Sequence, residues 1–113
     1  MAVTEYQERV YALLRQIPSG RVSSYAELSR ALSSSPRAVG GALRRNPFAP
    51  EVPCHRIICA GGSIGGFKGE PQDAPSGINQ AEKLRLLKSE GVLFDERGQL
   101  LDSTKWWNNF QTR

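Results

Sequence analysis

Long apolar segments, cysteine and histidine are scarce in this sequence of 113 residues. No apolar run approaches the roughly 20 residues that span a bilayer, and residues 1–5 lack the basic flank and apolar stretch of a secretory signal. We therefore expect no membrane contact and a location in the cytoplasm or nucleus. Cys54 and Cys59 are too few for a disulfide scaffold. They do not form a CxxC pair, and no second cluster of metal-ligating residues accompanies them. We expect no bound metal.

The remaining composition is typical of a globular protein. Hydrophobic residues make up 39% and charged residues 23% of the chain, and the mean hydropathy is -0.43. These values argue against a disordered or collagen-like chain. A chain of this length supports one hydrophobic core, and no internal repeat or long linker marks a boundary. Residues 1–113 are predicted to form a single domain.

Positive charge is concentrated in the middle of the chain. The net charge is +4, and the stretch from Arg30 to Lys68 contains six basic residues against one acid, Glu51, so it carries +5 while the rest carries -1. A local excess of this kind suits a surface that binds phosphates. An arginine-rich surface that is only solvated is the alternative.

Apolar spacing and capping residues predict a mainly α protein with short strands. A first helix follows Thr4 as N-cap and ends before Pro18. A last helix covers about 79–90 and ends at Gly91, with inward side chains at Ala81, Leu84, Leu86 and Leu87. Residues 57–59 predict a short strand. The adjacent tryptophans Trp106 and Trp107 are expected to dock on the core.

Residues 24–46 predict a helix-turn-helix. Ser24 and Glu27 form a capping box, in which Ser24 accepts from first-turn amides and Glu27 reaches back. A second helix begins at Pro36 after a run of serines and ends at Arg45. Two short helices joined by a polar turn are the outline of this motif, which predicts a winged-helix-like domain.

The second helix of this motif has an apolar and a basic face. The inner face contains Val39, Ala42 and Leu43. The outer face contains Arg37, Gly40, Gly41 and Arg44, with Arg45 at its edge. A glycine on an exposed helix face costs about 1 kcal/mol relative to alanine. The two glycines fit a close approach by a nucleic-acid strand or, as the alternative, by a neighbouring helix.

The run Pro53-Cys54-His55-Arg56 contains the groups that thiol chemistry needs. A thiol attacks as the thiolate, and a nearby imidazole or arginine can lower its pKa or take its proton. His55 is the only histidine, so any histidine base must be His55. Adjacent side chains usually diverge, which favours a water between Cys54 and His55. A buried structural cysteine beside a capping histidine is the alternative.

Together these motifs resemble the signature of the O6-alkylguanine-DNA alkyltransferases. The resemblance rests on Arg37–Ala42, on Asn46-Pro47 and on the run 53–58, and it extends from about 24 to 69 and from 83 to 91. It implies the C-terminal catalytic domain of such a protein, with an active-site loop over about 47–69. The implied activity is stoichiometric transfer of an alkyl group from guanine O6 in double-stranded DNA to a cysteine. It implies no cofactor, a monomer, and base flipping through the minor groove.

The resemblance also implies roles for individual residues. Cys54 would accept the alkyl group, His55 would act as base through water, and Glu90 would orient His55. Asn46 would be the hinge between the second helix and the active-site loop. In DNA binding, Tyr25 would push on the target phosphate and Arg37 would fill the space of the flipped base. The further DNA contacts expected are Gly40, Gly41, Arg44, Arg45 and Arg56, and the expected substrate pocket includes Pro53, Phe67 and Lys68.

Some features depart from the family pattern. Phe67 and Lys68 stand where many relatives have tyrosine and serine, and residues 70–76 look inserted. Met1 begins almost at the first helix of the catalytic domain, so we expect neither an N-terminal domain nor its zinc. Short alkyltransferase-like proteins have tryptophan at the position of Cys54 and bind damage without repairing it. A damage sensor that recruits repair proteins is therefore the alternative function, followed by a plain helix-turn-helix DNA binder and, remotely, a cysteine hydrolase.

Overall fold

The structure, a computed structural model, describes residues 3–49, 51–65 and 78–111. Within these residues four helices dominate and two short strands pair beside them, which confirms the mainly α prediction. The elements in chain order are α1 (Glu5–Leu14), β1 (Ser23–Ser24), α2 (Tyr25–Ala31), α3 (Pro36–Arg44), a 3-10 turn (Cys54–Arg56), β2 (Ile57–Ile58), α4 (Ile78–Ser89) and a second 3-10 turn (Ser103–Lys105). No helix in the described part of the chain is long and apolar enough to cross a membrane.

Helix α1 begins at a reciprocal cap. The Thr4 hydroxyl accepts a hydrogen bond from the Gln7 backbone N–H at 3.0 Å, and the Gln7 side chain accepts one from the Thr4 N–H at 2.8 Å. This capping box satisfies two amides that the first helical turn leaves unpaired. Farther along the helix, the Tyr11 hydroxyl donates to the carbonyl of Ala42 at 2.9 Å. That bond ties α1 to the last turn of α3.

Helices α2 and α3 pack together as the predicted helix-turn-helix. The hydroxyls of Ser24 and Ser35 cap them by accepting from the N–H groups of Glu27 and Ala38, both at 3.1 Å. The prediction that the Glu27 side chain closes a capping box is wrong. Its carboxylate pairs instead with Arg30, because a cation three residues along the helix is within easy reach.

The parallel pair of strands brings two distant segments together. Ser23 pairs with Ile57 and Ser24 with Ile58. The next residue after β1 is Tyr25, the first residue of α2, while the turn at 54–56 comes directly before β2. The helix-turn-helix lies within the connection that parallel strands require. The register therefore places this turn, called the cysteine turn below, beside the start of the helix-turn-helix.

Helix α4 packs against the cysteine turn. Leu87 is fully buried as predicted, but Ala81 is exposed, so its predicted inward position is wrong. Lys83, also in the first half of the helix, is buried instead. Because Lys83, Leu87 and Glu90 are spaced at i, i+4 and i+7, they share one face. The helix ends at Ser89, and Gly91 follows with a φ of +87° that suits glycine, close to the predicted end.

The C-terminal segment docks on the rest of the protein, as the paired tryptophans predict. The Trp107 N–H donates to the Val22 carbonyl at 2.7 Å, and the Val22 N–H donates to the Lys105 carbonyl at 2.9 Å. The rings of Trp107 and Phe110 pack edge to face with their centroids 5.0 Å apart. Trp106 packs on a second apolar cluster around Val22. Both tryptophans therefore stabilise the fold.

Candidate active site

Cys54 begins the cysteine turn and is almost buried, with 8% of its surface exposed. The turn is held by its own backbone: the Cys54 N–H donates to the Val52 carbonyl at 2.9 Å, and the Arg56 N–H donates to the Pro53 carbonyl at 3.0 Å. Pro53 is buried directly before the cysteine. These bonds fix the backbone from which the thiol projects.

His55 and Glu90 form the contact that the family resemblance implied. The Nε2 atom of His55 lies 2.9 Å from Oε2 of Glu90, with side chains 3% and 14% exposed. Burial opposes ionisation of Glu90, but hydrogen bonds from Arg56 and His55 outweigh it and hold the pKa of Glu90 below its ordinary value. Glu90 is therefore a carboxylate at neutral pH, placed to accept a hydrogen bond from a nitrogen that carries a proton.

The charge on Glu90 determines which nitrogen of His55 carries the proton. Burial lowers the pKa of His55 below its ordinary value, more than the bond to Glu90 raises it, so the ring is neutral at pH 7. A neutral ring that donates through Nε2 has its lone pair on Nδ1. His55 is thus held in the tautomer in which Nδ1 can accept a proton.

Arg56, expected among the DNA contacts, is bound within the protein to Glu90 and to a backbone carbonyl. Its Nε and one terminal nitrogen donate to the two oxygens of Glu90 at 3.0 and 2.7 Å, and the other terminal nitrogen donates to the Ile17 carbonyl at 2.8 Å. A planar guanidinium suits this two-point contact with a carboxylate. Arg56 therefore holds Glu90 in place, a role that the sequence analysis did not predict for it.

Asn46 spans the start of the active-site loop. Its side-chain nitrogen donates to the Val52 carbonyl at 2.9 Å, and its side-chain oxygen accepts from the Phe48 N–H at 2.9 Å. These two bonds close the loop that connects α3 with the cysteine turn. The geometry suits the hinge role that the resemblance implied, which remains a prediction.

Tyr25 lies at the first position of α2, close to both thiols. Burial, and then the negative charges that Cys59 and Cys54 can carry, raise the pKa of Tyr25 to about 12. Its hydroxyl therefore stays protonated and can donate a hydrogen bond at neutral pH. Gly65 packs against the same group, since a Cβ there would lie 3.2 Å from the Cys59 sulfur and 3.7 Å from the Tyr25 ring.

The outer face of α3 is partly as predicted. Arg37 and Arg44 are exposed, and within the described residues no carboxylate pairs with either. A Cβ at Gly40 would meet nothing within 4 Å, so that surface is open. Gly41 is buried, which contradicts its predicted exposure: an Arg45 terminal nitrogen donates to the Gly41 carbonyl at 3.1 Å and covers it. Arg45 thus caps its own helix end.

Phe67 and Lys68, predicted for the substrate pocket, lie outside the described residues, and so does the segment 70–76.

Lys83 is the site residue that sequence reasoning did not identify. It is 1% exposed, and its Nζ donates to the carbonyls of Ile57 at 2.8 Å and Ile64 at 2.7 Å. The signal was present: Lys83 shares its helix face with Leu87, an expected core residue, and with Glu90. A lysine on the buried face of a helix adjoining the predicted site indicates a buried cation.

Comparison with known proteins agrees with this geometry. The family model described as "6-O-methylguanine DNA methyltransferase, DNA binding domain" matches residues 5–92. A methylated-DNA–protein-cysteine methyltransferase of Methanothermobacter thermautotrophicus is 43% identical over 79% of this chain and 46% of the relative. A DNA base-flipping protein of Thermus thermophilus is 47% identical over 75% of this chain and 52% of the relative. The chain therefore spans about half the length of these curated relatives.

A structural relative differs in this respect. The crystal structure of S. pombe Atl1, in complex with damaged DNA containing O6-carboxymethylguanine, superposes with a TM-score of 0.72 at 27% identity. The match covers 95% of this chain and 98% of that one. The match of the family model over residues 5–92 shows that the chain belongs to the 6-O-methylguanine DNA methyltransferase family through its DNA-binding domain.

Proposed function

We propose that this chain repairs DNA by transferring an alkyl group from guanine O6 in double-stranded DNA to Cys54. The observation that carries the proposal is the 2.9 Å contact between Glu90 and His55, which lies in the turn that begins at Cys54. A nucleophile, a base and a carboxylate that orients the base are the parts that activate a thiol. Cys54 and His55 follow the helix-turn-helix in the chain, which couples this chemistry to DNA.

The reaction is a displacement at the alkyl carbon. The Cys54 thiol gives its proton through a water to Nδ1 of His55, and Glu90 stabilises the imidazolium that forms. The thiolate forms a carbon–sulfur bond while the bond from that carbon to guanine O6 breaks with its electrons on the guanine. The proton taken by His55 returns to the guanine through solvent. The product is a stable thioether, so each chain reacts once and needs no cofactor.

Access to the alkyl group requires the damaged nucleotide to leave the base stack, which costs a few kcal/mol. The exposed Arg37 is suited to fill the vacated space, and the Tyr25 hydroxyl can donate to a phosphate. The open surface at Gly40 and the exposed Arg44 support contact along the minor groove without sequence preference. The name of the Thermus relative and the DNA in the Atl1 crystal support this mode of binding.

Several finer assignments belong to the same proposal. Residues 1–113 act as one DNA-binding alkyltransferase unit, equivalent to the C-terminal catalytic half of the longer relatives. The unit acts as a monomer wherever the genome is held, in the cytoplasm or the nucleus. The Arg56–Glu90 pair supports the active site, whereas Arg37 and Arg44 serve the DNA.

A damage sensor is the second candidate, favoured by the nearly complete mutual coverage of this chain and Atl1. Such a sensor would flip the alkylated guanine, leave it unrepaired and recruit other repair proteins. The two functions differ in what happens to the DNA. A sensor leaves O6-methylguanine intact, whereas an alkyltransferase converts it to guanine.

The experiment is nucleoside analysis of a duplex containing one O6-methylguanine after incubation with excess protein. We expect conversion to guanine by the unmodified chain and by Cys59→Ala, and none by Cys54→Ala, which should still bind the duplex. Tight, selective binding without conversion by the unmodified chain would overturn the proposal in favour of the sensor.

A further inference from the structure

Lys83 is a fully buried cation to which the reaction proposed above assigns no part. Burying an ammonium is costly unless hydrogen bonds and charge compensate for the lost water. Two carbonyls supply hydrogen bonds: that of Ile57 in β2, directly after the cysteine turn, and that of Ile64, at 2.8 and 2.7 Å. An apolar side chain of similar volume would fill this space without the cost. The groups around Lys83 should therefore explain why a charged side chain is buried at this position.

The two carbonyls delimit a segment that contains the second thiol. Between them the chain turns back on itself, with the Cys59 N–H donating to the Ser63 carbonyl at 2.9 Å. Lys83 thereby clamps both ends of this turn to α4. Glu90, the residue that follows α4, lies about two turns farther along than Lys83 and holds His55. This face of α4 thus meets the cysteine turn through an acid, Glu90, and the segment after the turn through a cation, Lys83.

We propose that Lys83 is a positioning residue that acts through Cys54: its ammonium stabilises the Cys54 thiolate while its hydrogen bonds to Ile57 and Ile64 hold the segment that follows the cysteine turn. This role rests on the proposed alkyl transfer. It divides the activation of the thiol between two groups on one helix face. His55 with Glu90 removes the proton, and Lys83 stabilises the anion that remains.

Electrostatic reciprocity supports this role. Burial lowers the pKa of Lys83 to about 8, and the negative charges of Cys54 and Cys59 oppose that fall. An interaction that favours the ammonium when the thiolate is present must favour the thiolate equally when the ammonium is present. Since 7 lies below 8, Lys83 is mostly charged at neutral pH, and the stabilisation is available where the protein works.

The order of charges also fits the proton transfer. Before it, the charged members are Arg56, Glu90 and Lys83. Afterwards a positive His55 lies beside the negative Glu90, and a negative Cys54 interacts with the positive Lys83. Lys83 by itself disfavours protonation of His55, so its contribution is to the thiolate. Titratable groups that interact with Lys83 include Cys54, Cys59 and His55.

The test measures the reactivity of Cys54 toward iodoacetamide from pH 5.5 to 9, in a Cys59→Ala background so that one thiol reports. Lys83→Gln removes the charge and keeps N–H donors. We expect alkylation about tenfold slower than in the background protein at pH 7, with the pH midpoint moved upward. Lys83→Arg should restore most of the rate. Lys88→Gln, the same change at an exposed lysine of α4, should leave both rate and midpoint unchanged.

A buried substitution can impair folding, so a second measurement leaves Lys83 in place. The ε-carbon NMR signal of Lys83 is titrated before and after Cys54 is blocked with methyl methanethiosulfonate, which leaves a small neutral disulfide. Loss of the thiolate should lower the titration midpoint of Lys83. An unchanged midpoint, or normal iodoacetamide reactivity in folded Lys83→Gln, would overturn the inference and leave Lys83 a structural clamp.

Neither the iodoacetamide measurement nor the NMR titration uses DNA. If the duplex keeps its O6-methylguanine while Lys83→Gln suppresses iodoacetamide alkylation as expected, the proposed function is wrong and the role of Lys83 in activating the thiol stands. If the duplex is repaired but Lys83→Gln leaves the reactivity of Cys54 unchanged, the proposed function stands and the role assigned to Lys83 is wrong.

Discussion

The Nε2 atom of His55 lies 2.9 Å from the Oε2 atom of Glu90, although 35 residues separate them in sequence. The contact exists because α4 packs on the cysteine turn and presents Glu90 near its C-terminal end. Arg56 donates to both oxygens of the same carboxylate. His55, the base proposed to activate Cys54, is therefore bound to a carboxylate that Arg56 also holds in place.

Glu90→Gln tests this orientation. The amide keeps the size and an accepting oxygen but loses the charge that stabilises the imidazolium. We expect alkyl transfer to fall by about 10- to 100-fold, the range typical of groups that orient a reacting residue, with DNA affinity nearly unchanged. Glu96→Gln, at an exposed acid, is the matched control. Single-turnover rates on O6-methylguanine duplex decide, and a normal rate for Glu90→Gln would remove Glu90 from the mechanism.

Arg37→Ala tests the separation of base flipping from chemistry. If Arg37 fills the vacated stack, repair of duplex DNA should slow by at least about tenfold, the equivalent of roughly 1.4 kcal/mol. Transfer from free O6-benzylguanine needs no flipping and should stay within twofold, roughly, of the unmodified chain. Comparable losses on both substrates would show that Arg37 supports the fold or the thiol.

The pair Arg44→Ala and Arg56→Ala tests the reassignment of Arg56. Loss of the exposed Arg44 should weaken DNA binding uniformly across sequences and lower the salt slope by about one, with stability unchanged. Loss of Arg56 should lower the free energy of unfolding by about 2 kcal/mol, because Glu90 and the Ile17 carbonyl lose a partly buried partner. Fluorescence anisotropy against salt and urea unfolding measure the two effects. A salt slope altered by Arg56→Ala in a protein of normal stability would return Arg56 to the DNA surface.

Much of the local structure could be predicted from sequence because its causes are local. Thr4, Ser24 and Ser35 cap their helices within three residues, and Pro36 fits the first helical turn. Glu27 was misjudged because Arg30 competes for its carboxylate. The apolar faces also followed from spacing, except at Ala81, which alone is too small to decide on which side a helix lies.

The site was predictable in a different way. The roles of Cys54, His55 and Glu90 came from family resemblance, since no local pattern links positions 35 residues apart. The pairing of Arg56 depends on tertiary packing that composition does not encode, whereas Arg45 covers Gly41 through a local contact four residues apart at the end of α3. Lys83 was missed because lysine is normally solvated, although its place on the face of Leu87 was visible in the sequence.

The pH dependence of stability follows from the lowered pKa values of His55 and Glu90. Each group binds a proton more weakly in the folded chain than in the unfolded one, so each stabilises the fold above its ordinary value, 6.5 for His55 and 4.5 for Glu90. Stability should fall as pH drops below 6.5 and again below 4.5. Because His55 is the only histidine, His55→Gln should remove most of the change in the urea midpoint between pH 7 and 5.5. A slope that persists in this variant would locate the effect elsewhere.

The central claim is that Cys54 itself receives the alkyl group, and intact-mass analysis after incubation with O6-methylguanine duplex tests it most directly. The account predicts one added methyl group per chain, never more, with peptide mapping that places it on Cys54 and leaves Cys59 unmodified. An unchanged mass after the duplex has been bound, or a methyl group on Cys59, would contradict it.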